Sequence, residues 1–227
     1  MQNSTMTTIP EPVRQARAAF RERRISPHYS GPLHLATTVG ISALIALASG
    51  MMLEGVQAPE LLTIPVTLLY ANLSEYLGHR GPMHHKTRLL AGIFQRHTIE
   101  HHSFFTNEAP SFESTRDYRA VLFPPILLLF FFGCFALPAA SVLYFVASPN
   151  VGFLFVLTAI LYFLNYELLH FAYHCDPGSR LGRLPLIESL RRQHIRHHDK
   201  RLMTHYNFNI TYPVFDYLFG TRYRDED

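Results

Sequence analysis

The run LHLATTVGISALIALASGMML, residues 33–53, contains no charged side chain. About twenty apolar residues in a helix cross the hydrocarbon core of a bilayer. The run lies too far from the N-terminus, and lacks the flanks, to be a cleaved signal peptide. Three more apolar stretches follow, so spans are expected at about 33–53, 58–78, 120–147 and 150–173. The second is the weakest, because Pro65 and Glu75 interrupt it. The third opens on Pro124-Pro125, which predicts a kinked start, and only ASPN separates it from the fourth. A soluble helix normally keeps a polar face, and ILLLFFFGCFAL has none.

Basic residues orient such a bundle, because cytoplasmic loops carry the excess of Lys and Arg. With four spans, residues 1–32, 79–119 and 174–227 share one side, and all 20 Lys and Arg fall there. The other side holds only EGVQAPE and ASPN. The expected organisation is a basic segment, 1–32, followed by one membrane-embedded domain, 33–227, whose cytoplasmic cap is 79–119 with 174–227. Arg14, Arg17, Arg21 and Arg24 form a helical stripe suited to anionic headgroups or to water. Two cysteines without a C-x-x-C exclude a disulfide scaffold and a sulfur-ligated metal site, and a net charge of +3 gives no case for nucleic acid.

Histidines crowd the basic side. His79 and His84 follow the second stretch, and His97, His101 and His102 stand in HTIEHH. His170 and His174 end the fourth stretch, and His194, His197 and His198 stand in HIRHH. Residues four apart share a helix face, whereas Gly81-Pro82 should break any helix between the first pair. Packed imidazoles repel when protonated and need partners at both ring nitrogens when neutral. A divalent metal takes the lone pair directly, and imidazole suits iron, zinc, copper and nickel. Ten donors exceed one ion's needs and match two. Zinc-protease H-E-x-x-H is absent. A transporter would place its ligands at mid-membrane, where these spans are bare.

The ordered boxes H-x(4)-H, H-x(3)-H-H, H-x(3)-H and H-x(2)-H-H resemble those of the fatty acid hydroxylase / sterol desaturase superfamily of membrane di-iron oxygenases. HRGPMHH after a span, FPP at 123–125, SLRRQHIRHH and the closing YNFNITYPVFDYLFGT carry the same resemblance, over about 68–221. It implies an all-α integral-membrane fold of about four spans, with a helical cap holding a dinuclear histidine-rich site. It also implies the ten histidines as ligands of two iron ions, with zinc able to substitute. Glu75 and Glu167, each about one turn before a box histidine, are candidates to accept ring N–H bonds, and His205 to orient a ligand or meet the substrate.

The implied reaction is dioxygen-dependent hydroxylation of an unactivated C–H bond in a lipid acyl chain. Alternatives are desaturation or hydroxylation of a sterol, carotenoid or acyl lipid, a non-catalytic zinc-binding membrane protein, and a metal permease. The chain has no flavin or nicotinamide fingerprint and no cysteine set for iron–sulfur. Two electrons are therefore expected from a separate donor, a b-type cytochrome or a ferredoxin with its reductase. The membrane is expected to be a bacterial inner membrane, or the endoplasmic reticulum in a eukaryote.

Overall fold

Helix starts are written into the sequence. Ser30 accepts a hydrogen bond from the Leu33 N–H, with Pro32 in the first turn of α2 (Gly31–Met51). Ser148 does the same for Val151 at the start of α6 (Pro149–Tyr173), with Pro149 leading. A capping hydroxyl satisfies an otherwise orphaned N–H, and proline loses nothing at the first helical position. The remaining long elements are α1 (Glu11–Arg24), α3 (Thr63–Gly78), α4 (Pro125–Phe131), α5 (Leu137–Val146) and α7 (Pro185–His197). A π-helical turn, Phe132–Ala136, joins α4 to α5. The computed structural model describes residues 9–224, and among them there is no strand.

Three helical stretches are long and apolar enough to cross a membrane: Gly31–Met51, Thr115–Val146 and Pro149–Tyr173. The stretch expected as the second span departs from the other three. Its first part is a 3-10 turn, Ala58–Leu62, and α3 has only 16 residues. At 1.5 Å per residue that is about 24 Å, short of a hydrocarbon core of about 30 Å. With its 3-10 lead-in, it still joins the two ends of the bundle. At one end Asn150 donates to the Glu54 carbonyl at 2.8 Å and to Glu60 at 3.0 Å. At the other end α3 runs into His79 and α6 into His170 and His174. So α3 and α6 run toward the histidines, and α2 and α4–α5 run away from them.

The outward face of the bundle is apolar. Leu44, Leu47, Leu129, Phe145 and Val146 are all exposed, and so is Cys134. A contiguous apolar exterior is a liability in water; against lipid it is the favourable surface. Close approach fixes the start of α2: a Cβ on Gly31 would collide with the Thr115 carbonyl oxygen. Gly31→Ala is therefore expected to force α2 off the Thr115–Ala120 turn and destabilise the fold by about 1–3 kcal/mol. Thermal unfolding in detergent measures this.

The middle of the α1 arginine stripe faces protein. Phe20 and Ile25 pack with Phe104, Phe105, Ala120 and Val121 in one buried cluster. Arg17 is buried on the same face and donates to the carbonyls of Phe104 (2.9 Å), Ala109 (2.7 Å) and Ser111 (3.2 Å). Arg21 pairs with buried Asp117 at 2.9 Å and with Glu113 at 2.6 Å, and Arg24 pairs with Glu100. Arg17 and Arg21 thus exchange the expected lipid headgroups and water for internal hydrogen bonds, while Arg14 stays exposed beside Glu11.

Candidate metal centre

All ten box histidines are buried, and they sort into two sets of five. His79, His84, His97, His102 and His197 form the first; His101, His170, His174, His194 and His198 form the second. Within each set the candidate ligand atoms all lie within 4.8 Å of one another. The sets adjoin: the rings of His97 and His101 stack at 5.3 Å, and those of His102 and His198 at 4.3 Å.

The sets cut across the sequence boxes, for a helical reason. In α7 and at the end of α6 the backbone is α-helical, so the four-apart pairs His194/His198 and His170/His174 reach the same set. Two π-helical segments, His79–Met83 and Gln95–His101, carry the other boxes. Their hydrogen bonds close at five residues instead of four. The five-apart pairs His79/His84 and His97/His102 therefore share a set, while His97 and His101 part company. The break expected at Gly81-Pro82 is absent: Pro82 sits inside the π turn. Such wide turns concentrate at functional sites.

Backbone oxygens orient the rings. His79 Nδ1 meets the Phe208 carbonyl, and His197 Nδ1 the Tyr206 carbonyl at 2.8 Å. His101, His174 and His198 use their Nδ1 atoms on the carbonyls of Ala120 (2.9 Å), Pro110 (2.7 Å) and Phe105 (2.7 Å). His84 Nδ1 meets the hydroxyl of Thr98 at 3.2 Å, and that hydroxyl donates in turn to the Met83 carbonyl. A carbonyl can only accept, so each of these rings carries its proton on Nδ1 and turns a bare Nε2 inward.

Those bare nitrogens crowd one another. His84 Nε2 lies 3.1 Å from His79 Nε2 and 2.9 Å from His197 Nε2. In the second set the bare Nε2 atoms of His174 and His198 lie 3.1 and 3.0 Å from the Nε2 of His194, whose own Nδ1 is buried without a partner. Between His84 and His197 both protons are already committed to Nδ1, so no hydrogen bond joins them. Protonation is no remedy, since burial holds the His197 pKa down at about 4. Burial, and then the His198 ring, hold His102 and His174 well below the usual imidazole range. A metal ion satisfies the lone pairs instead: metal–nitrogen bonds of about 2.1 Å at right angles put adjacent nitrogens about 3.0 Å apart. The residues present thus fit one ion per set.

The other candidates stand elsewhere. Glu75 touches no box histidine. Its carboxylate accepts from the Thr211 N–H (2.9 Å), the Thr211 hydroxyl (2.7 Å), Tyr162 (2.6 Å), Asn209 (3.4 Å) and the Ile210 N–H. Glu167 accepts from the Phe123 N–H at 3.0 Å, and its other oxygen is buried without a partner. Five ring N–H groups meet carbonyls and one a hydroxyl in place of the expected carboxylates, because the cap wraps its own backbone around the rings. His205 is exposed and bonded to Thr204. His34, given no role by its sequence context, bridges the Tyr29 hydroxyl (2.9 Å) and the Phe123 carbonyl (3.0 Å). His34 and Glu167 thus hold Phe123 from its two backbone sides.

A cavity of about 410 Å³ borders the centre. Leu90, Ile93, Phe123, Leu127 and Phe131 make much of its wall, and His97, His101 and His170 form its inner end. It therefore meets both histidine sets. Three apolar helices long enough to span a bilayer lead to two buried groups of five histidines, each able to hold a metal ion. The fatty acid hydroxylase family model matches residues 64–221, more than half of the chain, and the chain belongs to that family. No curated protein and no solved structure matches it.

Proposed function

We propose that this protein is a membrane oxygenase that hydroxylates an acyl chain of a bilayer lipid at a pair of iron ions. The observation that carries the reading is the apolar cavity ending on His97, His101 and His170, members of both sets. When bound, the two irons supply the reduction of dioxygen that oxidises the C–H bond. The balance is R–H plus dioxygen, two electrons and two protons, giving R–OH and water.

The chain's own residues do the rest. His79, His84, His97, His102 and His197 hold one ion; His101, His170, His174, His194 and His198 hold the other. Carbonyls fix the Nδ1 tautomers, which keeps each Nε2 lone pair aimed inward. The cavity wall strips water from the acyl chain and fixes which carbon meets the centre, and placement within about 1 Å governs such rates. Phe123, held by His34 and Glu167 and stacked on Tyr166 at 5.8 Å, keeps that wall in place.

The Lys and Arg distribution supports a centre on the cytoplasmic face. Electrons come from a separate acidic one-electron carrier, either a b-type cytochrome or a ferredoxin with its reductase. Lipid analysis of cells with and without the gene tests the reading: species heavier by one oxygen are expected only with it. An unchanged lipid profile counts against it. Leu127→Trp, which fills the cavity, is expected to lower lipid oxidation about 100-fold with metal content unchanged. Metal analysis paired with lipid turnover separates that result from a loss of ions.

A further inference from the structure

We propose that Arg17, on a helix outside the family-matched region, is a positioning residue for the second histidine set, acting through the carbonyls that orient its rings. The inference rests on reading those histidines as metal ligands. The carbonyls gripped by Arg17 belong to Phe104, Ala109 and Ser111. Those that accept from His198 and His174 belong to Phe105 and Pro110. Each acceptor is thus adjacent in the chain to one clamped carbonyl, or lies between two. One guanidinium fixes a segment whose intervening oxygens set the tautomer and tilt of two rings.

The arrangement recurs for the third carbonyl-oriented ring of this set. His101 uses the Ala120 carbonyl, and Arg96 donates to the carbonyls of Arg119 at 3.2 Å and Leu122 at 2.6 Å, on either side of it. The first set is held differently. Its carbonyls, at Tyr206 and Phe208, lie in a segment pinned through N–H groups. Asp216 accepts from the Phe208 N–H at 2.9 Å and the Asn209 N–H at 2.8 Å. Cations hold oxygens around one ion, and a carboxylate holds N–H groups around the other.

Burying a guanidinium on neutral carbonyls is costly. Arg17 is buried nonetheless, its Nη1 lacks a hydrogen bond, and its nearest acid, Glu113, is part-exposed at 3.3 Å. A leucine would fill an apolar stripe between Val13 and Phe20 at less cost. What arginine adds is a planar fork able to fix several oxygens at once.

The test is metal content and release to a chelator, by elemental analysis of detergent-purified protein. Wild type is expected to hold two ions per chain. Arg17→Gln is expected to weaken one of them by about 10- to 100-fold, as loss of an outer hydrogen-bond partner does, leaving the other unchanged. At a chelator concentration that strips the weakened ion from Arg17→Gln, adding His198→Ala should take away no further ion, whereas adding His197→Ala should empty the chain. Arg17→Lys, which keeps the charge but not the fork, should release one ion at an intermediate rate. Exposed Arg14→Gln should change nothing.

Two equally retained ions in Arg17→Gln overturn the proposal, as does parallel loss of both. If Arg17→Gln does not fold, equal release of both ions from Arg17→Lys overturns it. If wild type itself binds no metal, the ligand reading fails instead.

Discussion

Replacing His84 by alanine is expected to empty the first histidine set and to lower lipid oxidation by about a thousandfold or more. His84 Nε2 meets both His79 and His197, and the ring also packs edge-on to His97 and His102 at 4.9 and 5.0 Å. It is the hub of its set, and its removal opens a gap that no other side chain fills. A bound metal contributes several kcal/mol to a transition state, and each 1.36 kcal/mol is tenfold in rate. The expected profile is one ion per chain, an intact fold and no oxygenated lipid. Full turnover in His84→Ala, measured beside metal content, would refute the two-ion reading.

Glu75→Ala carries the largest expected loss of stability. The carboxylate accepts from the N–H groups of Ile210 and Thr211, the Thr211 and Tyr162 hydroxyls, and Asn209. A buried donor left without its acceptor costs about 1–3 kcal/mol, so the sum is about 3 kcal/mol or more. The effect should be directional. The segment that Glu75 holds adjoins Phe208, whose carbonyl orients His79. The ion of the first set should therefore loosen before that of the second. Thermal unfolding with chelator-release rates checks both parts. An unchanged melting temperature contradicts the first part, and equal loosening of the two ions contradicts the second.

Much of this was legible in the sequence. Uncharged runs gave the long helices, and the boxes named the ten histidines that come together. What the sequence concealed has definite physical causes. Spacing read on an α-helix pairs His97 with His101, but π turns add a residue per turn and redistribute the boxes. The stretch at 58–78 is apolar enough in places, yet a 3-10 turn at Ala58–Leu62 leaves α3 too short to count alone. The partners of the rings are main-chain oxygens, which every residue possesses and which therefore leave no mark in a sequence. Glu75 and Glu167 read as ring partners because they lie one turn away. Instead they hold the backbone at 210–211 and at Phe123. Arg17 read as part of a surface stripe, because the oxygens that hold it lie 87 to 94 residues further on.

X-ray absorption at the iron edge, on protein from iron-replete cells without added zinc, tests the central claim most directly. Two iron atoms per chain are expected, each with nitrogen neighbours at about 2.1 Å, strong imidazole outer-shell scattering and no sulfur. A single ion per chain, zinc in place of iron, or a shell lacking imidazole scattering would contradict it.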